Sequence, residues 1–425
     1  MNIAQIGFYF CLVSCIASIK MERNIINPLT FFSFIWSLVF LFSPMQLYSL
    51  NVASDENYGI ILSGTVCFIV GCVVAKKLDV RRWKVRFLDY SINKRLQYKW
   101  LYIILFFCII YYSVNFVLLV SQLGIYNLGK VQASLQGGSF VLAKFPILAT
   151  LVLLVIEPIT KVAPAIAASD FFWGKRDKWL FVEICVLLLA RTLATANRTG
   201  LMLLFIYLIV MGLLKRNLVK QQKVPAQKKI KIGKFIVVGI AVFFVLTLSR
   251  GAELFRNVYC NFGMPPMMFE VWRSEVDAAN LLGYGCASFN GFLNTIFFVL
   301  RNIIFFDMTP DIVKKMYDMI TLTDVEWKHI GSGLRANAYV SLFWFFYLDG
   351  RIPGVVLGSF LYGFVVYFVY EKVKKNPTPY NTSLYCLILY GVMYSFVRFQ
   401  FATVSYSIAI VLCLFFLYKK ISTRI

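Results

Sequence analysis

Residues 200–214 read GLMLLFIYLIVMGLL, and residues 215–234, which follow at once, read KRNLVKQQKVPAQKKIKIGK. The first stretch is wholly uncharged. The second carries eight basic residues and no acid. Wound as a helix, the apolar stretch satisfies its own backbone hydrogen bonds, which is what a hydrocarbon environment demands of any segment within it. A basic, acid-free stretch beside such a helix is how cytoplasmic loops look under the positive-inside rule. The pair therefore reads as a membrane span and the cytoplasmic loop that follows it. The apolar run 57–75 repeats the pattern, leading into a basic cluster over 76–99 opposed only by Asp79 and Asp89.

Composition agrees along the whole chain. Of 425 residues 60% are hydrophobic and only 15% charged, and 41 are phenylalanine. Even a large soluble domain buries only about three quarters of its unfolded surface, so this much apolar surface could not be hidden from water. Soluble enzymes, nucleic-acid-binding domains and disordered chains are excluded. The net charge of +23 sits mainly in loops between apolar runs, so it marks topology rather than a nucleic-acid partner; anionic lipid would be attracted to the same loops. The cysteines show no metal-ligand spacing, and a single histidine excludes multi-histidine metal sites.

The expected fold class is all-α: a polytopic transmembrane bundle of about 11–12 spans with a large, mainly helical external loop. Spans are expected at 3–19, 28–50, 57–75, 100–123, 140–160, 179–197, 200–214, 235–249, 351–370, 382–397 and 401–418. The first run has its basic residues after it, the reverse of a signal peptide. The division is an N-terminal bundle (1–249), an external loop (250–350) and C-terminal helices (351–425). The loop is near neutral, with helices expected at 265–282 and 309–321 and a re-entrant or surface-lying helix at 287–306. Cys260 and Cys286 fall on its oxidising side and could form a bridge.

Arginine stands at the outer ends of several spans, at Arg198, Arg250, Arg351 and Arg398. Its planar fork matches phosphate oxygens two at a time, although snorkelling to the interface would also place basic residues there. Arg191 lies within a span, where a charge costs about 2.5–3.5 kcal/mol even on lenient insertion scales. It either pairs with Glu183 or Glu157 or lines a cationic cavity. His329, beside Gly331-Ser332-Gly333, is a candidate general base. Glu275 and Asp277 are the second choice, with a solvated helix face as the plain alternative. The aromatic run Tyr339 to Tyr347 reads as an interfacial belt or as a platform for lipid or sugar.

Three local features resemble the O-antigen polymerase family, the oligosaccharide repeat-unit polymerases. Asn197-Arg198-Thr199-Gly200 resembles the family's arginine-containing turn before an apolar helix. Asn337-Ala338-Tyr339, followed by Phe346-Tyr347-Leu348-Asp349-Gly350 and Gly354, resembles its asparagine–tyrosine and aromatic–aspartate–glycine stretch; here Arg351 stands after Asp349-Gly350. The large loop before the last spans occupies the family's usual place. The resemblance implies a glycosyltransferase of the bacterial inner membrane, with its active site facing the periplasm. A growing glycan on undecaprenyl pyrophosphate would pass to the non-reducing end of another lipid-linked unit. Arg191, Arg198, Arg250, Arg335, Arg351 and Arg398 would hold the pyrophosphate without a metal or cofactor, and Asn337, Tyr339 and Tyr347 would meet sugar or lipid. A chain-length-regulating co-polymerase is the expected protein partner. The ligase that moves glycan onto a lipid acceptor, and a flippase of lipid-linked sugars, are the competing classes.

Overall fold

The computed structural model describes residues 2–78, 94–123, 146–195, 197–220, 254–306 and 308–420. The chain opens with α1 (Ile3–Glu22), α2 (Pro28–Phe42), α3 (Asp55–Lys77) and α4 (Tyr98–Leu123). Next, α5 (Pro146–Leu151) runs through a π-helical turn (Val152–Ile156) into α6 (Glu157–Trp173), followed by α7 (Lys178–Thr195) and α8 (Thr199–Lys220). Four shorter helices come after these: α9 (Leu254–Gly263), α10 (Pro265–Ala278), α11 (Asn290–Asn302) and α12 (Asp311–Val325). The long α13 (Ser341–Lys375), α14 (Pro379–Met393) and α15 (Val404–Val411) complete the helices, the last passing into a π-helical turn (Leu412–Phe416). Strand β1 (Lys94–Leu96) pairs antiparallel with β4 (Tyr418–Lys420), and β2 (Lys328–Gly331) with β3 (Leu334–Ala336).

Seven helices among the described residues are long and apolar enough to cross a membrane: Ile3–Glu22, Pro28–Met45, Asp55–Lys77, Tyr98–Leu118, Leu148–Trp173, Thr199–Lys220 and Ser341–Lys375. The chain is an all-α, multi-pass membrane bundle whose only strands among the described residues are the two short pairs. Other expected runs differ in detail. Helix α7 carries Lys178, Glu183 and Arg191 and is not among the seven. Helix α14 has only 15 residues, and Val404–Phe416 is a short apolar helix. The expected span 235–249, together with 79–93 and 221–234 of the basic loops, lies outside the described residues. Within 287–306 only the 13 residues of α11 are helical, too few for a crossing that needs about 20.

The described residues fall into two compact units. One holds 2–78, 254–372 and 388–407; the other holds 94–220, 373–387 and 408–420. In the first, α3 and α13 meet backbone to backbone. A Cβ on Gly71 would lie 2.1 Å from the Phe360 carbonyl oxygen, and one on Gly363 would lie 2.1 Å from that of Phe68. Small residues allow such approach between membrane helices, where packing rather than hydrophobicity drives association.

The span expected at 351–370 instead begins at Ser341 and contains a break. The aromatic run is therefore core, not an interfacial belt: Phe343, Trp344 and Phe345 are fully buried, with Phe343 against Trp36 and Trp344 edge-on to Trp272. Asp349-Gly350-Arg351 looks like a boundary in sequence because it is polar. In the fold it is an interruption, with non-helical backbone at Gly350 and Arg351. Pro353 lacks the N–H that would bond the Asp349 carbonyl one turn back. That carbonyl accepts the Tyr284 N–H instead (3.0 Å), and the Leu348 carbonyl accepts the Gly283 N–H (2.8 Å).

Candidate functional site

The break is the centre of the first unit's polar chemistry. The Asp349 carboxylate accepts the backbone N–H groups of Gly285 (2.9 Å), Ala287 (2.8 Å) and Ser288 (2.8 Å). Together with the two carbonyl bonds, this fastens the loop 283–288 to the break. Two residues beyond Asp349, Arg351 sits at φ 55° and ψ −144°, a region that L side chains rarely adopt. Such a backbone costs on the order of 1–3 kcal/mol and persists where surrounding contacts hold it.

What holds it is α10. That helix begins at Pro265-Pro266, where a missing N–H is harmless. It buries Met268, Phe269, Trp272 and Val276 along one stripe. Arg273 and Asp277 stand off that stripe at i and i+4, close enough to interact. Arg351 Nη1 donates to Asp277 Oδ1 (2.6 Å), and its Nη2 donates to the Val276 carbonyl (3.3 Å). The Tyr347 hydroxyl donates to the same carboxylate (3.0 and 3.1 Å) and accepts from Arg273 Nε (3.3 Å). Both guanidiniums also lie by the Tyr347 ring, Arg273 at 5.5 Å and Arg351 at 5.3 Å from its centroid. Cation–π attraction adds about 0.5–1 kcal/mol at exposed sites. From α3, Asn57 Oδ1 accepts from Arg273 Nη1 (2.9 Å) and Glu56 pairs with its Nη2. Burial alone would lower the Arg273 guanidinium, but its bonds to Glu56 and Tyr347 hold it above the ordinary value.

Three of the expected site residues, Asp277, Tyr347 and Arg351, thus come together. The sugar-facing role expected of Tyr347 does not fit this position, because the side chain is only 5% exposed and lies between two cations. Glu275 pairs instead with Lys328, which also bonds Glu326 (2.6 Å) and lies over the Trp272 ring. Burial would lower the Lys328 amine, yet the bonds to both glutamates raise it. His329 faces Arg335 across the β2–β3 ladder, and Arg335 Nε donates to His329 Nε2 (3.0 Å). Taking up a proton at that nitrogen would break the bond.

Arg398 pairs through both terminal nitrogens with Asp324, and Asn337 Nδ2 donates to the Asp324 carbonyl (2.5 Å). The Tyr339 hydroxyl donates to Asn261 (2.9 Å), and its ring lies against Phe396. No disulfide joins Cys260 to Cys286.

Arg191 and Arg198 belong to the second unit. Arg191 is buried and bonds Glu157 (2.9 Å), whose other oxygen accepts the Tyr112 hydroxyl (2.7 Å). The pairing alternative for Arg191 is therefore the one present. Arg198 lies in the turn between α7 and α8, where Asn197 Oδ1 accepts the Thr199 N–H (2.9 Å). Arg250 lies outside the described residues.

Reading residues one at a time passes over Arg273, Glu56 and Asn57. The i, i+4 pairing of Arg273 with Asp277 was the available signal for the first; no local pattern points to the other two. No protein-family model, curated protein or solved structure matches the chain.

Proposed function

We propose that the chain is a glycosyltransferase of the bacterial inner membrane that polymerises undecaprenyl-pyrophosphate-linked oligosaccharide repeat units, its active site facing the periplasm. The observation that carries this reading is the Arg273–Tyr347–Arg351 cluster around Asp277 beside a strained helix break. Two guanidiniums beside one carboxylate, Arg351 bonded to it and Arg273 Nε 3.5 Å from it, form a site that an anion with several oxygens can enter by replacing that carboxylate.

The donor diphosphate takes Arg351 Nη1 and Arg273 Nε, while the terminal nitrogens of Arg273 stay on Asn57 and Glu56. Asp277 loses its strongest partner and becomes the base. The acceptor hydroxyl then attacks the anomeric carbon of the donor glycan while its proton passes to Asp277. The bond from that carbon to the diphosphate oxygen breaks, and the electron pair leaves with the diphosphate. Preorganised cations at the developing charge are the largest source of catalysis in such transfers, and positioned proton transfer adds about 10²–10⁴ in rate. His329, its Nε2 engaged by Arg335, is the second candidate base. Arginine supplies the positive charge, so the reading calls on no metal or cofactor. A chain-length-regulating co-polymerase is the protein partner it implies.

The test is deletion of the gene, with surface glycan resolved on a gel. Loss of the long-chain ladder with one-unit glycan remaining supports the polymerase. Loss of all attached glycan makes the chain a ligase, and lipid-linked units trapped inside the cell make it a flippase.

A further inference from the structure

Tyr284 is an aromatic residue of the loop 283–288 that the fold leaves open. Its side chain is 76% exposed, whereas Tyr347 is covered by two arginines and Tyr339 is bonded to Asn261. It is also fixed in place. Its own N–H bonds the Asp349 carbonyl, its neighbour Gly283 bonds the Leu348 carbonyl, and Gly285 bonds the Asp349 carboxylate. The packing beneath is tight: a Cβ on Gly283 would lie 2.6 Å from Asp349 Oδ1. The Tyr284 backbone stands at φ 50°, a left-handed conformation uncommon for a bulky residue. The carbonyl that receives its N–H belongs to Asp349, two residues from Arg351 of the cluster.

We propose that Tyr284 is a stacking platform for a pyranose ring of the glycan, forming a sugar subsite beside the Arg273–Arg351 cluster. The proposal rests on the polymerase reading for the identity of the glycan. A ring open on its faces presents the flat apolar surface that the C–H face of a sugar covers. The strained, fastened backbone argues for a ligand rather than for the bilayer. A membrane anchor gains nothing from a backbone held in an unfavourable conformation, whereas a binding residue gains from a fixed backbone position.

The test uses the full-length protein in detergent and, as probe, the single repeat-unit oligosaccharide released by mild acid from the strain's own surface glycan, with binding followed by calorimetry. Tyr284→Trp keeps a ring and is expected to bind as the wild type does. Tyr284→Leu keeps an apolar side chain suited to lipid but loses the ring, and is expected to bind about tenfold more weakly, as for truncation of an aromatic anchor, with an unchanged melting temperature. Equal binding by the Leu variant and the wild type would make Tyr284 an interfacial anchor and overturn the platform. Absence of oligosaccharide binding by the wild type, when deletion of the gene removes the ladder, would overturn the platform and leave the polymerase standing. Ring-dependent binding with an intact ladder after deletion would uphold the sugar site and overturn the polymerase.

Discussion

Arg351 sets a strained backbone against a favourable side chain, and two substitutions separate the two. Its φ of 55° costs on the order of 1–3 kcal/mol for any residue but glycine. Against this stand its pair with Asp277 at 2.6 Å and its place over Tyr347. Asp277 is 40% exposed, so the pair is screened and worth about 0.5–1 kcal/mol, and the ring contact adds a similar amount. Arg351→Ala keeps the strain and loses the contacts, so it destabilises by about 1–2 kcal/mol. Arg351→Gly loses the same contacts and relieves the strain, so its stability stays within about 1 kcal/mol of the wild type. Thermal melting in detergent reads the difference, with the Ala variant melting a few degrees lower. Both variants lose the guanidinium proposed to bind diphosphate, so neither is expected to restore the glycan ladder to a deletion strain. Equal melting of the Ala and Gly variants would refute the strain argument. A full ladder from the Gly variant would refute the role given to the side chain.

Arg273→Lys keeps the charge but cannot hold Glu56, Asn57 and Tyr347 at once; it should accumulate normally and yield a ladder reduced at least about tenfold in complementation, at the weak end of catalytic effects. Gly71→Val puts a branched side chain where a Cβ already lies 2.1 Å from a backbone oxygen; it should lower stability by about 1–3 kcal/mol or more, read as a loss of melting temperature and of protein in the membrane fraction. Lys328 has its amine raised above the ordinary lysine value by Glu275 and Glu326. Its contribution is complete below the unfolded-state value near 10.4 and fades as pH rises through the folded value. Wild-type melting temperature should therefore fall more steeply above about pH 10 than that of Lys328→Gln.

The membrane fold was legible because it rests on local, one-dimensional quantities. Apolar length and the placement of Lys and Arg locate both ends of α1, α3 and α4 and the starts of α2 and α8 to within about three residues, and Pro265-Pro266 marks the start of α10. The start of α13 was not legible, because a polar Asp-Gly-Arg within an apolar helix has the composition of a loop; only the bonds from 283–288 show that it is enclosed. The site was half legible. Single residues such as Asp277 and Arg351 stand out by type, but the partners that determine what they do lie far along the chain. Glu56 meets Arg273 across more than two hundred positions, and no spacing rule reaches that far. Arg191 gave a different outcome: the cost of a charge in an apolar run left a carboxylate partner or a cationic cavity open, and Glu157 supplies the partner.

One backbone event gathers the first unit's chemistry. Pro353 removes an N–H from α13, and the turn before it cannot close as a helix. The freed carbonyls of Leu348 and Asp349 go unmet unless something donates to them, and an unmet buried carbonyl costs about 1–3 kcal/mol. Residues 283 and 284 meet them, and the Asp349 carboxylate draws in three further N–H groups from the same loop. Closing the break places Arg351 in a backbone region fit for glycine, and the side chain that keeps it there ends on Asp277, within the same hydrogen-bonded group as Arg273 and Tyr347. Asp349 is a structural acid that organises the loop, and Asp277, bonded to Arg351 and Tyr347, is the acid given the proton in the proposed function. Asp349→Asn would put an amide where backbone N–H groups converge from Gly285, Ala287 and Ser288. It should release the loop as a unit, seen as faster hydrogen exchange over 283–288. Asp277→Asn should leave that exchange unchanged while it removes the ladder. If both variants behaved alike in exchange, the division of roles between the two acids would fail.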